Sequence, residues 1–174
     1  MSAPPPAAGS VGPVAGDSHA SGAYDTHRSA KTRADFPLPD VTWEPARPYY
    51  EGAAVGELRL PFCDACGATN WYPKGVCLAC DATSFTWRAT AGTGTVFSFV
   101  VVRHVFLPQY KDLVPFVAGL VELDDAPGAR ITSRITGADP ADVHIGMPVV
   151  ATFEPLHFAG VDGEVVAPLF RPAN

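Results

Sequence analysis

The sequence contains no run of about 18 apolar residues, the length that a membrane-spanning helix needs, anywhere in its 174 residues. Its N-terminus, MSAPPPAAGSVGPVAG, also lacks the basic start and apolar core of a secretory signal. Both absences favour a cytoplasmic location, where thiols stay reduced. They therefore argue against structural disulfide bonds.

Positive charge is also scarce. The chain has 12 Lys and Arg residues against 18 Asp and Glu residues, which gives a formal net charge of −6. From residue 36 to residue 174 there are nine basic and fifteen acidic side chains, and no run is rich in Lys or Arg. Because proteins that bind nucleic acid usually neutralise its phosphates with a basic face, this balance argues against nucleic acid as a partner.

Recognisable catalytic motifs are missing as well. The five histidines are scattered, without H-x-x-x-H or H-E-x-x-H spacing, and no G-x-S-x-G sequence marks a nucleophilic serine. The glycines at residues 92–96, GTGTV, open a predicted strand, whereas a phosphate-binding glycine loop ends a strand and begins a helix. We therefore expect no catalytic residue in this chain, and an independent enzyme such as a small thioesterase is the weaker hypothesis.

What the sequence does have is a concentrated set of cysteines. All four lie in FCDACGATNWYPKGVCLAC, residues 62–80, as two C-x-x-C pairs: Cys63 with Cys66, and Cys77 with Cys80. A redox dithiol is normally a single pair at the start of a helix, whereas two pairs on a short hairpin are typical of a metal site with four thiolates. Zinc is the usual metal, and iron is the rarer one in rubredoxin-like geometry.

Because sulfur would fill all four coordination positions, this metal is expected to be structural rather than catalytic. Gly67 follows the first pair, where a metal-binding turn typically needs a positive φ. The ribbon has few core residues of its own, so the metal should hold it together. We expect separate cores in the ribbon and the following domain, so that metal loss unfolds only the ribbon.

Composition divides the chain into four segments. Residues 1–35, rich in Ala, Pro, Gly and Ser, are predicted to be a disordered tail. Residues 36–60 form an N-terminal segment with a short helix at about 48–56, which Pro48 begins. Residues 61–90 form the zinc ribbon, and residues 91–174 form the last domain.

The last domain is predicted to be a five-stranded barrel. Its segments are rich in β-branched and aromatic residues or alternate in hydrophobicity, with turn residues between them. Only DPADVHIG, with Asp139 as a cap, resembles a helical turn. A mainly β chain of this kind fits a Greek-key OB-fold barrel. The predicted strands are 92–106, 116–125, 129–136, 148–156 and 164–172.

The loop between the first two barrel strands is more apolar than a solvent loop needs to be. It reads FLPQYKDLVPF and contains Phe106, Tyr110, Leu113 and Phe116. OB-fold domains bind ligands on this side of the barrel. The loop either contacts a partner or an acyl chain, or only covers the end of the barrel.

Taken together, residues 43–172 resemble the zinc-ribbon/OB-fold acyl-CoA-associated proteins. The resemblance rests on the cysteine pairs in order with GTGTVFSFVVV, PFVAGLVEL, IGMPVVATF and the terminal PLFRP. It implies a non-catalytic accessory subunit that binds a thiolase-like enzyme and helps to hold acyl-CoA. The reactions implied are acyl-CoA condensation, acyl transfer, or retro-aldol cleavage as in steroid side-chain degradation.

If the loop faces a CoA thioester, the resemblance directs attention to three of its residues. Tyr110 would supply apolar area and a hydroxyl group, while Arg103 and Lys111 are the nearest cations for the CoA phosphates. The alternative function is a binder of single-stranded nucleic acid, with bases stacked on Phe97, Phe99 and Phe116, since ribbons and OB-folds both serve that purpose.

Overall fold

A computed structural model of the chain describes residues 33–173. Most of the predicted tail, residues 1–32, therefore lies outside the described residues. In the described part no helix is long and apolar enough to cross a membrane. The fold is mainly β, as predicted. Its elements are α1 (Arg47–Ala54), β1 (Arg59–Cys63), β2 (Phe85–Ala89), β3 (Thr93–Val102), β4 (Phe116–Leu123), β5 (Arg130–Ile135), β6 (Pro148–Leu156) and β7 (Val165–Pro172).

The predicted short helix is α1. Pro48 lies in its first turn, where its fixed φ suits a helix and its missing N–H costs nothing. Tyr49, Gly52 and Ala53 form the buried face of α1. This face packs against the first ribbon strand and the last barrel strand, so the helix joins the two parts of the molecule.

The ribbon sheet contains β1 and β2, which pair antiparallel from Arg59 opposite Ala89 to Cys63 opposite Phe85. The first cysteine therefore lies at the end of the paired region. The three remaining cysteines lie in the segment between the two strands, which has turns but little regular structure. The strands position the ribbon on the barrel, and the cysteine turns extend beyond them.

The last five strands close into the predicted barrel, in the order β3-β4-β5-β7-β6. All neighbours are antiparallel except β5 and β7, which meet in parallel at Ile135 and Phe170. Alternate residues of β4, beginning with Val117, point into the barrel and are buried. This is the five-stranded OB-fold barrel that the sequence predicts.

The first barrel strand is shorter than the predicted 92–106. It ends at Val102, which pairs with Phe116, the first residue of β4. Beyond this pair β3 and β4 separate, so residues 103–106 have no strand to pair with. The chain continues through a loop, residues 103–115, with one short 3-10 helix at Pro108–Tyr110.

The predicted helical turn at DPADVHIG forms a turn rather than a helix. Asp139 does cap it, since its carboxylate accepts a hydrogen bond from the backbone N–H of Ala141 at 2.8 Å. The backbone N–H of Asp142 donates to the carbonyl of Asp139 at 2.9 Å. The chain then turns towards β6 after a single hydrogen-bonded turn.

The expectation of separate cores is wrong. Tyr49, Leu58 and Leu60, from the helix and the base of the ribbon, belong to the same buried cluster as Val121 and Phe170 of the barrel. The reason is geometric: Leu58 and Leu60 are alternate residues on the face that is buried with the barrel, whereas Cys63 lies on the other face of the same segment. The core of the barrel therefore extends into the ribbon's base.

Candidate metal centre and adjoining groove

The four cysteines converge on one point. Their Sγ atoms all lie within 4.8 Å of one another. The Sγ atoms of Cys63 and Cys80 are 3.6 Å apart, and those of Cys66 and Cys77 are 3.8 Å apart. All four are free thiols, since these distances far exceed a sulfur–sulfur bond of about 2.05 Å. Each short distance joins one cysteine of the first pair to one of the second.

These distances match a tetrahedral metal site. Four sulfur atoms at the zinc–sulfur distance of about 2.3 Å stand about 3.8 Å apart along the edges of the tetrahedron. A metal with four protein sulfur ligands has no open position for water or substrate. The residues present therefore fit a structural metal ion, held by Cys63, Cys66, Cys77 and Cys80.

The two cysteine turns have the same backbone geometry. In the first, the N–H of Gly67 donates to the carbonyl of Cys63 at 2.8 Å. In the second, the N–H of Asp81 donates to the carbonyl of Cys77 at 3.0 Å. Both donors have positive φ, 74° for Gly67 and 60° for Asp81. The positive φ predicted at Gly67 is thus present, and the equivalent position in the second turn is held by an aspartate that sequence reasoning missed.

Asn70 is a second residue that sequence reasoning missed. Its side chain is buried in the segment between the cysteine pairs, and only 4% of its surface is exposed. The side-chain N–H2 group donates to the carbonyl of Val76 at 3.1 Å, and the side-chain oxygen accepts from the N–H of Leu78 at 3.4 Å. These bonds hold both residues that flank Cys77. The only signal in the sequence is an amide residue between the two cysteine pairs, a residue type whose side chain often bonds to nearby backbone groups.

The thiols are unequal electrostatically. Backbone N–H groups of Cys66 and Ala65 point at the sulfur of Cys63 and, with its thiol neighbours, lower the pKa of Cys63 to about 7. The backbone N–H of Ala82 lowers the pKa of Cys80, but the neighbouring thiols outweigh it and raise that pKa to about 12. The first turn thus stabilises the thiolate form of Cys63. Four thiolates this close together would repel one another, which disfavours the fully deprotonated state of the cluster. A bound metal cation would offset this repulsion.

A groove lies beside the ribbon, on the outer face of β4 and β5. We call it the aromatic groove, and its volume is about 550 Å³. Its floor is formed by outward-facing residues of the two strands, among them Phe116 and Arg134. Its walls come from the N-terminal segment, the ribbon and two barrel loops: Pro37, Pro39, Tyr49, Tyr50, Trp71, Tyr72, Tyr110 and Phe158.

The three predicted CoA contacts lie on the same loop but not in the same surroundings. Tyr110 is partly buried and lines the aromatic groove, and burial raises the pKa of its hydroxyl. Its ring packs against Phe158 at 5.0 Å and Phe116 at 6.5 Å between centroids. Arg103 and Lys111 are exposed and do not line the groove. Tyr110 is therefore a structural part of the loop as well as a candidate contact.

The loop also displays Phe106, whose side chain is fully exposed. The N–H of Ala159 donates to the carbonyl of Gln109 at 3.1 Å, which ties this loop to the one after β6. The middle of the loop is thereby held in place, while the ring of Phe106 remains in solvent.

Two family models match the chain in the order of its domains. Residues 51–86 match the rubredoxin-like zinc ribbon domain of ChsH2. Residues 87–154 match the C-terminal OB-fold domain of ChsH2. Both agree with the elements described above.

Two similar curated proteins are hydratase subunits. One is a probable enoyl-CoA hydratase alpha subunit of Thermomonospora curvata, 33% identical over 82% of this chain and 42% of its own length. The other is the 3-oxo-4,17-pregnadiene-20-carboxyl-CoA hydratase alpha subunit of Mycobacterium tuberculosis, 38% identical over 60% of this chain and 32% of its own length. The chain thus spans less than half of either relative.

Two further proteins match over most of their own length. A DUF35 domain-containing scaffold protein of Methanocaldococcus jannaschii is 35% identical over 59% of this chain and 72% of its own length. A solved structure described as an Ltp2-ChsH2(DUF35) aldolase contains a chain that is 30% identical, with a TM-score of 0.65. The match covers 79% of this chain and 99% of that one.

Proposed function

Because the chain belongs to the ChsH2 (DUF35) family, we propose that it is a non-catalytic accessory subunit of a thiolase-like enzyme. In this hetero-oligomer it helps to hold an acyl-CoA ligand near the OB-fold domain. Two similar proteins are named as alpha subunits, one as a scaffold, and one solved structure as an aldolase with a ChsH2 chain, which supports a role beside an enzyme. We expect the complex in the cytoplasm, where its thiols stay reduced.

The reaction of the complex is acyl-CoA condensation, acyl transfer or retro-aldol cleavage. Retro-aldol cleavage is favoured by the solved aldolase, and a steroid side-chain CoA thioester as substrate is favoured by the mycobacterial relative's name. The chemistry belongs to the partner in each case. This chain's contribution is to bind the partner and to position the ligand.

The observation that carries the proposal is the loop at residues 103–115. It presents Phe106, fully exposed, and in sequence this residue lies between the exposed cations Arg103 and Lys111. Exposed aromatic side chains of this kind mark protein interfaces, where they act as buried anchors. The neighbouring cations have the charge that would attract the phosphates of CoA.

The partner is tested by co-expression with each thiolase-like protein encoded near this chain's gene. We expect one of them to co-purify, and we expect Phe106→Ser to weaken that complex by about 1–3 kcal/mol, as for an interface anchor. The matched control is Ile145→Ser, another exposed apolar residue (68%, against full exposure of Phe106), near the opposite end of β3, where Gly146 bonds to Val96. Failure of every thiolase-like protein to co-purify would refute the proposal.

The CoA contacts are tested in the intact complex. We expect Arg103→Gln and Lys111→Gln each to raise the KM for acyl-CoA, while Lys74→Gln, an exposed cation on the ribbon, leaves it unchanged. Tyr110→Phe keeps the ring that packs on Phe158 and removes only the hydroxyl group, so it separates a ligand contact from loop stability. An unchanged KM in all three loop variants would remove CoA from the proposal while leaving the partner.

The metal is proposed to be zinc, with iron as the alternative. Purified protein kept reduced should carry one metal ion per chain, measured by elemental analysis. Iron bound to four thiolates would colour the protein, whereas zinc would leave it colourless. A metal content near zero would contradict the assignment.

The alternative of nucleic-acid binding gains no support from the proposed stacking residues. Phe99 packs against the barrel core, and the guanidinium of Arg130 covers Phe97 at 3.6 Å from the ring centroid. Only Phe116 faces the groove. A single stacking residue on an acidic chain favours the accessory-subunit function.

A further inference from the structure

Arg134 and Arg130 lie on the same outer face of β5, but they have very different surroundings. Arg130 donates to the carboxylate of Glu122 at 3.2 Å and stacks on Phe97. The guanidinium of Arg134 has no hydrogen-bond or ion-pair partner among residues 33–173. Arg134 is also partly buried, and this burial lowers its pKa. Both arginines line the aromatic groove, but only Arg130 is engaged by partners from this chain.

The groups closest to Arg134 form no hydrogen bond with its guanidinium. Glu154 and Tyr110 are near enough to raise its pKa, but neither is within hydrogen-bond distance of it. A cation that loses part of its hydration without gaining a partner costs free energy. An anion in the groove would offset that cost, and the planar guanidinium binds a carboxylate or phosphate through two parallel hydrogen bonds.

The rest of the groove suits an apolar body. Tyr50, Phe116 and Phe158 line it, together with two prolines of the N-terminal segment. Leu38, between those prolines, is buried in a cluster with Leu156 and Leu169, so the segment is anchored across the barrel face. The volume of about 550 Å³ lies in the range of small-molecule sites.

An extended peptide is a poorer occupant. Both floor strands are already paired on both sides in the closed barrel, so neither offers free backbone groups to an added strand. The anchored N-terminal segment adds a wall to the groove through Pro37 and Pro39, so the strands do not form an open flat surface there. These features favour a small molecule.

We propose that the aromatic groove binds a small apolar acid, with one carboxylate or phosphate monoester paired to Arg134 and an apolar body between the aromatic walls. The site belongs to this chain alone and does not require the thiolase-like partner. It shares Tyr110 with the proposed CoA contacts, but the two cations proposed for CoA, Arg103 and Lys111, lie outside it.

The test uses the full chain loaded with metal, and measures binding of octanoate, octyl phosphate and 1-octanol by calorimetry. We expect at least one of the two anions to bind about tenfold or more tightly than the neutral alcohol, as a charge-assisted hydrogen bond predicts. The two anionic probes distinguish a carboxylate from a phosphate ligand. Equal affinities for octanol and both anions, or no binding of any probe, would overturn the proposal.

The variants test which arginine carries the effect. Arg134→Gln should abolish the preference for the anion while leaving the affinity for octanol unchanged. Arg130→Gln should preserve the preference, because Arg130 is already paired with Glu122. Since Arg134→Gln removes an unpaired, partly buried charge, its Tm should equal or exceed that of the wild type, which shows that the variant is folded. A preference that survives Arg134→Gln, or is lost equally in Arg130→Gln, would also overturn the proposal.

Discussion

The ribbon and the barrel are stabilised in different ways. In the barrel, Val121, Ile131 and Phe170 are fully buried, and every strand has two neighbours. At the cysteine end of the ribbon, Val76 and Leu78 remain exposed, although they flank a metal ligand. A two-stranded sheet with so little buried surface is marginal in water. The barrel is therefore stable through its core, and we expect the cysteine end of the ribbon to depend on a bound metal.

The change from stabilisation by the barrel core to stabilisation by metal is expected to fall within the ribbon. Leu58, just before β1, and Leu60, near its start, belong to the barrel's core, whereas Cys63, at the end of the strand, belongs to the cysteine cluster. Dependence on the metal should thus begin within β1, around the last paired residues. Each prediction below tests where that boundary lies.

The largest expected effect is that of Cys66→Ser. Loss of one thiolate should release the metal, whose apparent binding free energy in zinc-finger peptides is about 10–16 kcal/mol at pH 7. We expect the amides of residues 63–82 to exchange rapidly with solvent while those of β4 and β5 stay protected, measured by hydrogen exchange. Amides of residues 58–60 should retain protection, because their side chains are buried with the barrel.

The matched control for Cys66→Ser is Ala65→Ser, which adds the same hydroxyl at the neighbouring exposed position. It should change neither the metal content nor the exchange pattern. Loss of protection throughout β4 and β5 in Cys66→Ser would show instead that the ribbon and barrel unfold as one cooperative unit.

The second prediction concerns the barrel alone. A Cβ atom on Gly94 would collide with the backbone carbonyl of Glu122 on β4, which cannot move without breaking the strand pairing. Gly94→Ala should therefore destabilise the barrel by about 1–3 kcal/mol or more, as overpacking does. Urea unfolding measures the effect. Metal content should be unchanged, because the collision lies away from the cysteines.

Gly75→Ala is the control for that substitution. Gly75 lies in the ribbon, with no atom within 4 Å of an added Cβ, and its φ is not positive. This substitution should be neutral in urea unfolding. A barrel that tolerates Gly94→Ala as readily would mean that β3 and β4 can separate locally.

The third prediction tests what holds the ribbon besides the metal. Asn70→Ala removes the buried amide that bonds to the carbonyl of Val76 and the N–H of Leu78, and losing such hydrogen bonds costs about 0.5–1.5 kcal/mol each. We expect faster release of metal to a chelator, with the barrel's stability in urea unchanged. Asn70→Asp keeps the shape and the acceptor for Leu78, but it sets a buried carboxylate oxygen against the carbonyl of Val76, so it should release metal at least as fast as Asn70→Ala. Equal rates for all three proteins would show that the metal alone orders the second cysteine turn.

The sequence predicted most of the barrel because strand patterns are local. Alternating residues such as Val117, Val121 and Ile131 reveal the buried face directly. The convergence of the four cysteines was equally predictable, since two C-x-x-C pairs on a hairpin are typical of one four-sulfur cluster. The end of β3 was misplaced because residues 103–106 have strand-forming side chains but no partner strand, and pairing is a tertiary property.

The rest of the site depends on contacts between distant parts of the chain. Leu58 and Leu60 join the barrel's core because of the direction in which β1 enters the barrel. No local sequence pattern specifies that direction. The alternation along β5 places Arg130 and Arg134 on one face, but it cannot show that Arg130 is paired and Arg134 is not. That difference arises from Glu122 and Phe97, which the barrel brings to one arginine only.

The smallest effects should come from the two equivalent turn positions, Gly67 and Asp81. Both have positive φ, which costs about 1–2 kcal/mol for a residue with a Cβ atom. Nothing lies within 4 Å of a Cβ added at Gly67, so Gly67→Ala should cost about that amount through backbone conformation alone. Asp81→Gly should be nearly neutral, because the relief of strain is offset by the greater freedom of glycine in the unfolded chain. Chelator competition on both variants measures the difference. Equal losses of metal affinity in the two would mean that the carboxylate of Asp81, rather than its backbone, matters to the second turn.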